Sequence, residues 1–340
     1  MMVEVEEMQA FTDTLASAKN IVIINHRKPD GDAMGSCLAL YHYFLKKYHT
    51  NVTLITPTDY PEFLWWLPGN DKVLNFETNE SKAASLLNKA DLIFCVDFNR
   101  PHRAEKLGEL ILASKAAKIL VDHHPDPEEV FDFYFHDVEA TSASEIVYDL
   151  IKRIGDENYI DKDVATCIYT GLMTDTDNFR IPNTTSKSHL IAADLIDRGV
   201  ENAEIYSNVY ESFSESRLRF FGYCLTEKME YLTDIKTGII AIRREDAHNF
   251  NIKTGDTEGL VNYPMKIKGT RLSIFITERA DGVKLSFRSK GNIDVNEFAK
   301  EYFNGGGHKN AAGGSSKLSV YETKKRLIDL LYKNKYLFNE

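Results

Sequence analysis

The sequence predicts an α/β protein, with a parallel-sheet N-terminal domain followed by a smaller mixed α/β C-terminal domain. Two patterns carry that reading. Over the first half, apolar runs of strand length (Ile21–Ile24, Val52–Thr56, Leu92–Val96 and Ala117–Val121) alternate with helix-like stretches. This is the spacing of βαβ units, whose right-handed crossovers build a parallel sheet. After Tyr231 the character changes to strands, with a hairpin of Arg271–Glu278 and Val283–Arg288 turning at Asp281-Gly282. The 340 residues suffice for two domains with separate cores. We place the first at 1–188, a helical connector at 189–230 and the second at 231–340.

The elements follow in order. Met1–Lys19 carries Met8, Phe11 and Leu15 at helical spacing, and Cys37–Lys47 is a second helix after the first strand. Tyr60–Gly69, with Phe63, Trp65 and Trp66, is an aromatic loop or short helix; closing the core is its simplest role, and a platform for a base the alternative. Helices are expected at Ser81–Lys89 and Leu107–Ser114. Ser142-Ala143-Ser144-Glu145 has capping-box form and opens a helix over Ile146–Ile154. Asp161–Met173 is another helix. From His189 to Tyr231 the pattern is helical and charged. Strand Ile239–Ile242, the hairpin, helix Val295–Phe303, a glycine run and helix Val320–Tyr332 complete the chain.

Composition removes several classes of function. The chain is 43% hydrophobic and 27% charged, with no early apolar run of signal layout and none approaching the roughly 20 residues that span a bilayer. A cytoplasmic protein without membrane association is expected. Cys37, Cys95, Cys167 and Cys224 are far apart and have apolar neighbours, as core residues in a reducing compartment do. A net charge of −10 argues against a broad footprint on long duplex nucleic acid, which needs many cations on one face. A small anionic ligand held locally fits.

The chemistry concentrates in His26-Arg27-Lys28-Pro29-Asp30-Gly31-Asp32, a turn after the first strand. Pro29 keeps Lys28 out of the helical region, and Gly31 is expected to supply the backbone angles that fold the carboxylates toward one point. Two carboxylates ~4 Å apart repel by about 4 kcal/mol at an effective dielectric near 20, and a divalent cation removes that cost. Asp97 and Asp122-His123-His124 also follow apolar runs, and Asp175 follows a helix-like segment. At the C-terminal edge of an open parallel sheet such residues converge. The second feature is Gly305-Gly306-Gly307-His308-Lys309-Asn310-Ala311-Ala312-Gly313-Gly314. Clustered glycines let backbone N–H groups approach an anion, His308 and Lys309 sit inside the run, and Arg288-Ser289-Lys290 at the end of the hairpin offers donors that could share the same phosphate.

Taken together, His26-x-x-x-Asp30-x-Asp32, Asp97, Asp122-His123-His124, Asp175 and the glycine run resemble the motifs of the DHH phosphoesterase superfamily and its DHH-associated C-terminal domain. Length and domain pairing resemble the bacterial oligoribonuclease and pAp-phosphatase branch. That resemblance implies an active site in the cleft between the domains, with two Mn²⁺ ions. His26, Asp30 and Asp97 would take one ion; Asp32, Asp97, His123 and Asp175 would take the other. It also implies Asp122 orienting a histidine, His124 facing substrate, and Arg288, His308, Gly306, Gly307 and Lys309 holding it. The family usually has Gly where this chain has Asp177, which sets Asp177 beside Asp175 as a candidate ligand.

The implied substrates are very short RNAs, cut to mononucleotides, and 3′-phosphoadenosine 5′-phosphate (pAp), in a chain that could pair as a homodimer. Competing enzymes are a cyclic or linear dinucleotide phosphodiesterase, an exopolyphosphatase or pyrophosphatase, and a long single-strand exonuclease. A nucleotide-sensing module without catalysis would lack one of the ligands, and none is missing here.

Overall fold

The computed structural model describes residues 5–253 and 255–334, so Met1–Glu4 of the expected first helix, and 335–340 of the second domain, lie outside the described residues. Two compact units divide between Ser212 and Phe213.

The first unit is built on six parallel strands: β1 (Asn20–Ile24), β2 (Asn51–Thr56), β3 (Leu74–Asn75), β4 (Leu92–Val96), β5 (Ala117–Asp122) and β6 (Phe133–His136). Their order is β3-β2-β1-β4-β5-β6. Ile21–Ile24 and Leu92–Val96 are wholly buried, as continuous apolar runs covered on both faces must be. Alternation splits each run between two cores. Ile21, Ile23, Leu92, Phe94 and Val96 face one side; Val22, Ile24, Ile93 and Cys95 face the other. Each such side chain contributes about 1.5–3 kcal/mol on burial.

The first side is covered by α1 (Val5–Ser17), α2 (Gly31–Tyr48), α5 (Ala143–Arg153) and α6 (Lys162–Asp175), with α7 (Ser186–Asp197) and α8 (Asn202–Tyr210) beyond. On the opposite side are α3 (Glu80–Asn88) and α4 (Lys106–Ala113). The chain winds from β1 outward to β3, then returns to place β4 on the other flank of β1. A topological switch point therefore lies between β1 and β4, where crevices open in such sheets.

The second unit contains α9 (Glu215–Tyr223), β7 (Met229–Leu232), β8 (Thr237–Ile242), α10 (Arg244–Asn249), β9 (Leu272–Arg279), β10 (Gly282–Ser289), α11 (Val295–Phe303), β11 (Gly306–His308), β12 (Ala311–Ser316) and α12 (Val320–Lys333). Its sheet order is β11-β12-β10-β9-β8-β7, with β8 and β9 parallel and the remaining pairs antiparallel. α11 and α12 cover one face through Phe298, Phe303, Leu327 and Leu331. The segment 189–230 is shared between the two cores: Ile205 and Val209 of α8 belong to the first, Phe220 and Phe221 of α9 to the second.

Several local expectations are corrected. α2 begins at Gly31, six residues before Cys37, because the Asp30 carboxylate caps it by accepting from Asp32 N and Ala33 N at 3.1 Å each. The left-handed residue of the turn is Lys28, at φ 53°, not Gly31. Gly31 is needed for close approach instead, since a Cβ there would lie 2.4 Å from Thr174 Oγ1 of α6. Asp175 is the last residue of α6, not a loop residue. The glycine run is two paired strands, and the short strands β3 and β6 carried too little pattern to be read. In the aromatic loop Leu64 and Leu67 are buried and Phe63 and Trp66 pack on the first core, while Trp65 is exposed. All four cysteines are buried free thiols, and among the described residues no helix is long and apolar enough to cross a membrane.

Candidate metal centre

The switch point collects the acidic and imidazole residues. His26 follows β1, Asp97 follows β4, Asp122 ends β5, and α2 and α6 bring Asp30, Asp32 and Asp175 to the same place. α2 and α6 meet closely because glycines line their contact: a Cβ on Gly35 would lie 2.5 Å from the Cys167 carbonyl. Two triads result, His26–Asp30–Asp97 and Asp32–His123–Asp175, each with ligand atoms within 4.8 Å of one another.

Asp97 joins them. Its Oδ2 lies 3.4 Å from His26 Nε2 and its Oδ1 3.5 Å from His123 Nε2. The residue is held at φ 62°, a conformation that costs a non-glycine residue about 1–2 kcal/mol. Its amide is tied to the Val121 carbonyl at 2.9 Å, so the carboxylate is aimed by the backbone of two strands. Oδ1 is buried with no hydrogen-bond partner. An orphaned carboxylate oxygen among nitrogen and oxygen donors is what a cation site requires.

The imidazoles are oriented for the same purpose. His123 Nδ1 lies 3.3 Å from the Ala140 carbonyl, which directs Nε2 toward Asp32, Asp97 and Asp175 at 4.0, 3.5 and 3.7 Å. His26 Nδ1 is 2.9 Å from the Arg27 carbonyl, leaving Nε2 for Asp97. Such bonds fix which nitrogen can ligate. Asp122 serves His124, not His123. Oδ1 is 2.8 Å from His124 Nδ1, and Oδ2 accepts from His124 N at 3.1 Å. Asp177, the competitor of Asp175, points elsewhere and pairs with Arg180.

The charges do not balance without a cation. Burial pushes the Asp32 carboxyl up to about 7, helped by the charge of Asp97. Burial also holds Asp175 well above the usual carboxylate range. At Asp97 burial works the same way, but the facing imidazoles of His123 and His26 outweigh it and hold the group well below that range. Carboxyls raised by burial beside one held low by imidazoles form a mixed carboxylate and imidazole donor set, which fits divalent metal ions.

Residues beyond the sequence reading complete the centre. Asp32 Oδ2 accepts from Ala143 N at 2.7 Å, and its Oδ1 accepts from Ser144 N at 3.0 Å and Ser36 Oγ at 3.2 Å. Ser142 caps α5 as expected, accepting from Glu145 N, but the Glu145 carboxylate turns away to Thr141 Oγ1 at 2.6 Å. Gly171 makes room: a Cβ there would sit 1.9 Å from Ser144 Oγ. His136 Nε2 lies 2.6 Å from the His124 carbonyl. Backbone donors leave no side-chain signature, and the only cue was a helix N-terminus, a natural carboxylate binder.

In the second unit Arg288 stands opposite Ala311, and Ala311 opposite His308. Arg288 and His308 therefore share the sheet face away from α11 and α12, with Cα atoms roughly 10 Å apart across the small Ala311. Gly306 pairs with Gly313 in the next row, so backbone forms the floor there. Gly307 does not fit the expected role of an N–H donor to an anion, because its N–H already donates to Asn296 Oδ1 at 2.9 Å. A Cβ at Gly307 would meet the Ala311 carbonyl at 2.5 Å, and one at Gly305 the Gly313 carbonyl at 2.0 Å, so these glycines serve strand packing. Lys309 lies in the turn between β11 and β12, exposed, with Nζ 3.4 Å from Asn292 Oδ1.

Residues 20–172 match the DHH family, N-terminal domain, and residues 237–334 match the DHHA1 domain. The solved structure of an exopolyphosphatase-related protein from Bacteroides fragilis superposes with a TM-score of 0.94 at 37% identity, covering 100% of this chain and 99% of that one. The chain belongs to the DHH family. Among curated relatives, the bifunctional oligoribonuclease and PAP phosphatase NrnA of Bacillus subtilis is 29% identical over 305 residues, covering 89% of this chain and 91% of that protein. The protein of the same name from Thermus thermophilus is 29% identical over 326 residues, covering 95% and 93%. The chain is accordingly a hydrolase of phosphoester bonds, with a centre suited to divalent metal.

Proposed function

We propose that the chain is a manganese-dependent hydrolase that degrades very short oligoribonucleotides to mononucleotides and converts pAp to AMP, in the cytoplasm. The observation that carries this reading is the Asp97 carboxylate, whose two oxygens face two different histidines. A carboxylate so placed could be shared by two ions. His26, Asp30 and Asp97 would hold one, and Asp32, Asp97, His123 and Asp175 the other. Ions held there supply positive charge that makes water a competent nucleophile near neutral pH and offsets charge on the phosphoryl group. The substrate class rests on the likeness, over most of the chain, to relatives named for both activities.

The chain's own groups do the rest. Asp122 binds His124 through Nδ1, so Nε2 is the nitrogen turned to substrate. Carrying a proton there, it stabilises a phosphoryl oxygen or protonates the departing sugar oxygen. The α5 N-terminus holds both oxygens of Asp32 and prevents that carboxylate from swinging into the space a substrate needs. In the second unit, Arg288, His308 and Lys309, beside the bare floor at Gly306, would bind a nucleotide.

The test is product analysis by mass spectrometry. Metal-stripped protein resupplied with Mn²⁺ or Mg²⁺ is offered pAp, a dinucleotide, a cyclic dinucleotide and pyrophosphate. AMP from pAp and mononucleotides from the dinucleotide, faster with Mn²⁺, are expected. Preferential cleavage of pyrophosphate or of the cyclic dinucleotide would overturn the substrate assignment.

A further inference from the structure

Six residues beyond Asp97, Arg103 occupies a single turn of 3-10 helix, Pro101–Ala104, at the same edge of the sheet. Three arginines lie in this corner. Arg27 is paired with Glu105 at 2.9 Å, and Arg100 donates from Nε to the Asp126 carbonyl at 3.2 Å. Arg103 is half-buried, and its guanidinium has no hydrogen-bond or carboxylate partner among the described residues. Its backbone is bonded to Arg27, the residue next to His26.

Its mount is rigid. Arg103 O accepts from Arg27 N at 2.9 Å, which ties the turn to the end of β1, and Arg103 N donates to Arg100 O at 3.0 Å. Pro101 and Ala104 are buried. Gly108 lets α4 press against the turn, since a Cβ there would lie 2.0 Å from the Pro101 carbonyl. Glu105 is held at φ 53° beside its Arg27 partner.

A half-buried cation without a counter-ion, beside a site built for divalent cations, is unfavourable unless an anion is shared between them. A guanidinium is suited to that anion because its planar fork binds two oxygens of a phosphate at once. We propose that Arg103 is a substrate-binding residue of the first unit, holding the phosphoryl group against the metal centre; this rests on the phosphoester-hydrolase reading above.

The test uses the whole Mn²⁺-loaded chain and inorganic phosphate as probe. Calorimetric titration should show phosphate binding weakened about 10- to 100-fold in Arg103→Ala. Arg103→Lys should fall in between, because it keeps the charge and loses the fork. Mn²⁺ affinity and melting temperature should stay at wild-type values in both variants, which a merely structural residue would not allow. With pAp, KM should rise with the phosphate dissociation constant. Equal phosphate binding by wild type and Arg103→Ala, or no binding by wild type, overturns the proposal. Arg103-dependent phosphate binding in a chain that leaves pAp intact would sink the substrate reading and leave this inference standing.

Discussion

Ser144 donates its backbone N–H to Asp32 Oδ1 at 3.0 Å, and its side-chain oxygen lies 2.8 Å from Ser36 Oγ, which also donates to that carboxylate. With the Ala143 amide on Oδ2, an α-helix N-terminus grips a candidate metal ligand rather than the substrate. The grip depends on Gly171, where a Cβ would fall 1.9 Å from Ser144 Oγ and 2.8 Å from Asp32 Oδ1. Gly171→Ala should therefore lower metal affinity by about 10- to 100-fold. It should also destabilise the metal-free protein by about 1–3 kcal/mol through overpacking. Metal titration and thermal melts read the two effects separately; wild-type metal affinity in this variant would mean that the α5 contact is incidental.

Asp97 gives a two-variant test. Asp97→Ala and Asp97→Gly both remove the shared carboxylate, so both should lose metal-dependent stabilisation and hydrolysis. They should differ in the metal-free state. At φ 62°, glycine escapes a strain of about 1–2 kcal/mol that alanine keeps, so Asp97→Gly should melt higher than Asp97→Ala. For the wild type, a metal concentration of 100 times the dissociation constant should add about 2.7 kcal/mol of stability, and chelation should remove it. A wild-type response to metal in either variant would show that Asp97 is not a ligand.

What could be read from the chain, and what could not, follows from where the information sits. His26, Asp97 and Asp122-His123-His124 each follow a run of buried apolar residues, so their common edge is implied by the parallel sheet. The order β3-β2-β1-β4 is not written in any one segment, so the switch point beside Asp97 had to be seen. Gly31, Gly171 and Gly305 are set by close approach of distant backbone or side chains, for which a local pattern carries no sign. Asp175, expected in a loop, lies on the last turn of α6, because a residue there has the same neighbours in sequence as one in the loop beyond.

The second unit offers a pH test of its own. Asp246 accepts from Tyr223 OH at 2.6 Å and Arg243 N at 2.7 Å, and pairs with Lys228 at 2.8 Å. Burial alone would raise its carboxyl, but these partners outweigh that and hold it below the usual value. A carboxyl lowered in the folded state stabilises fully above its unfolded value, about 3.9, and the contribution disappears as pH falls through the folded value. Asp246→Asn should thus melt below wild type at pH 7, and the gap should narrow as pH falls below the unfolded value of about 3.9. A gap constant from pH 7 to pH 3 would assign the loss to packing instead of charge.

Asp122 and His124 should act as one unit. Asp122 takes both the Nδ1 and the backbone N–H of His124, and it is wholly buried, so its effect on the reaction runs through the imidazole. Asp122→Asn keeps the shape and can no longer stabilise a protonated His124, and His124→Ala removes the imidazole. Each should lower kcat on a dinucleotide by about 100- to 10,000-fold, the range for losing general acid catalysis. The double variant should be no worse than His124→Ala alone, because the second change has nothing left to disturb. Metal affinity should remain near wild type in all three. Losses that multiply in the double variant would require Asp122 to act on a group other than His124, with direct metal ligation the first alternative, and a parallel fall in metal affinity would identify it.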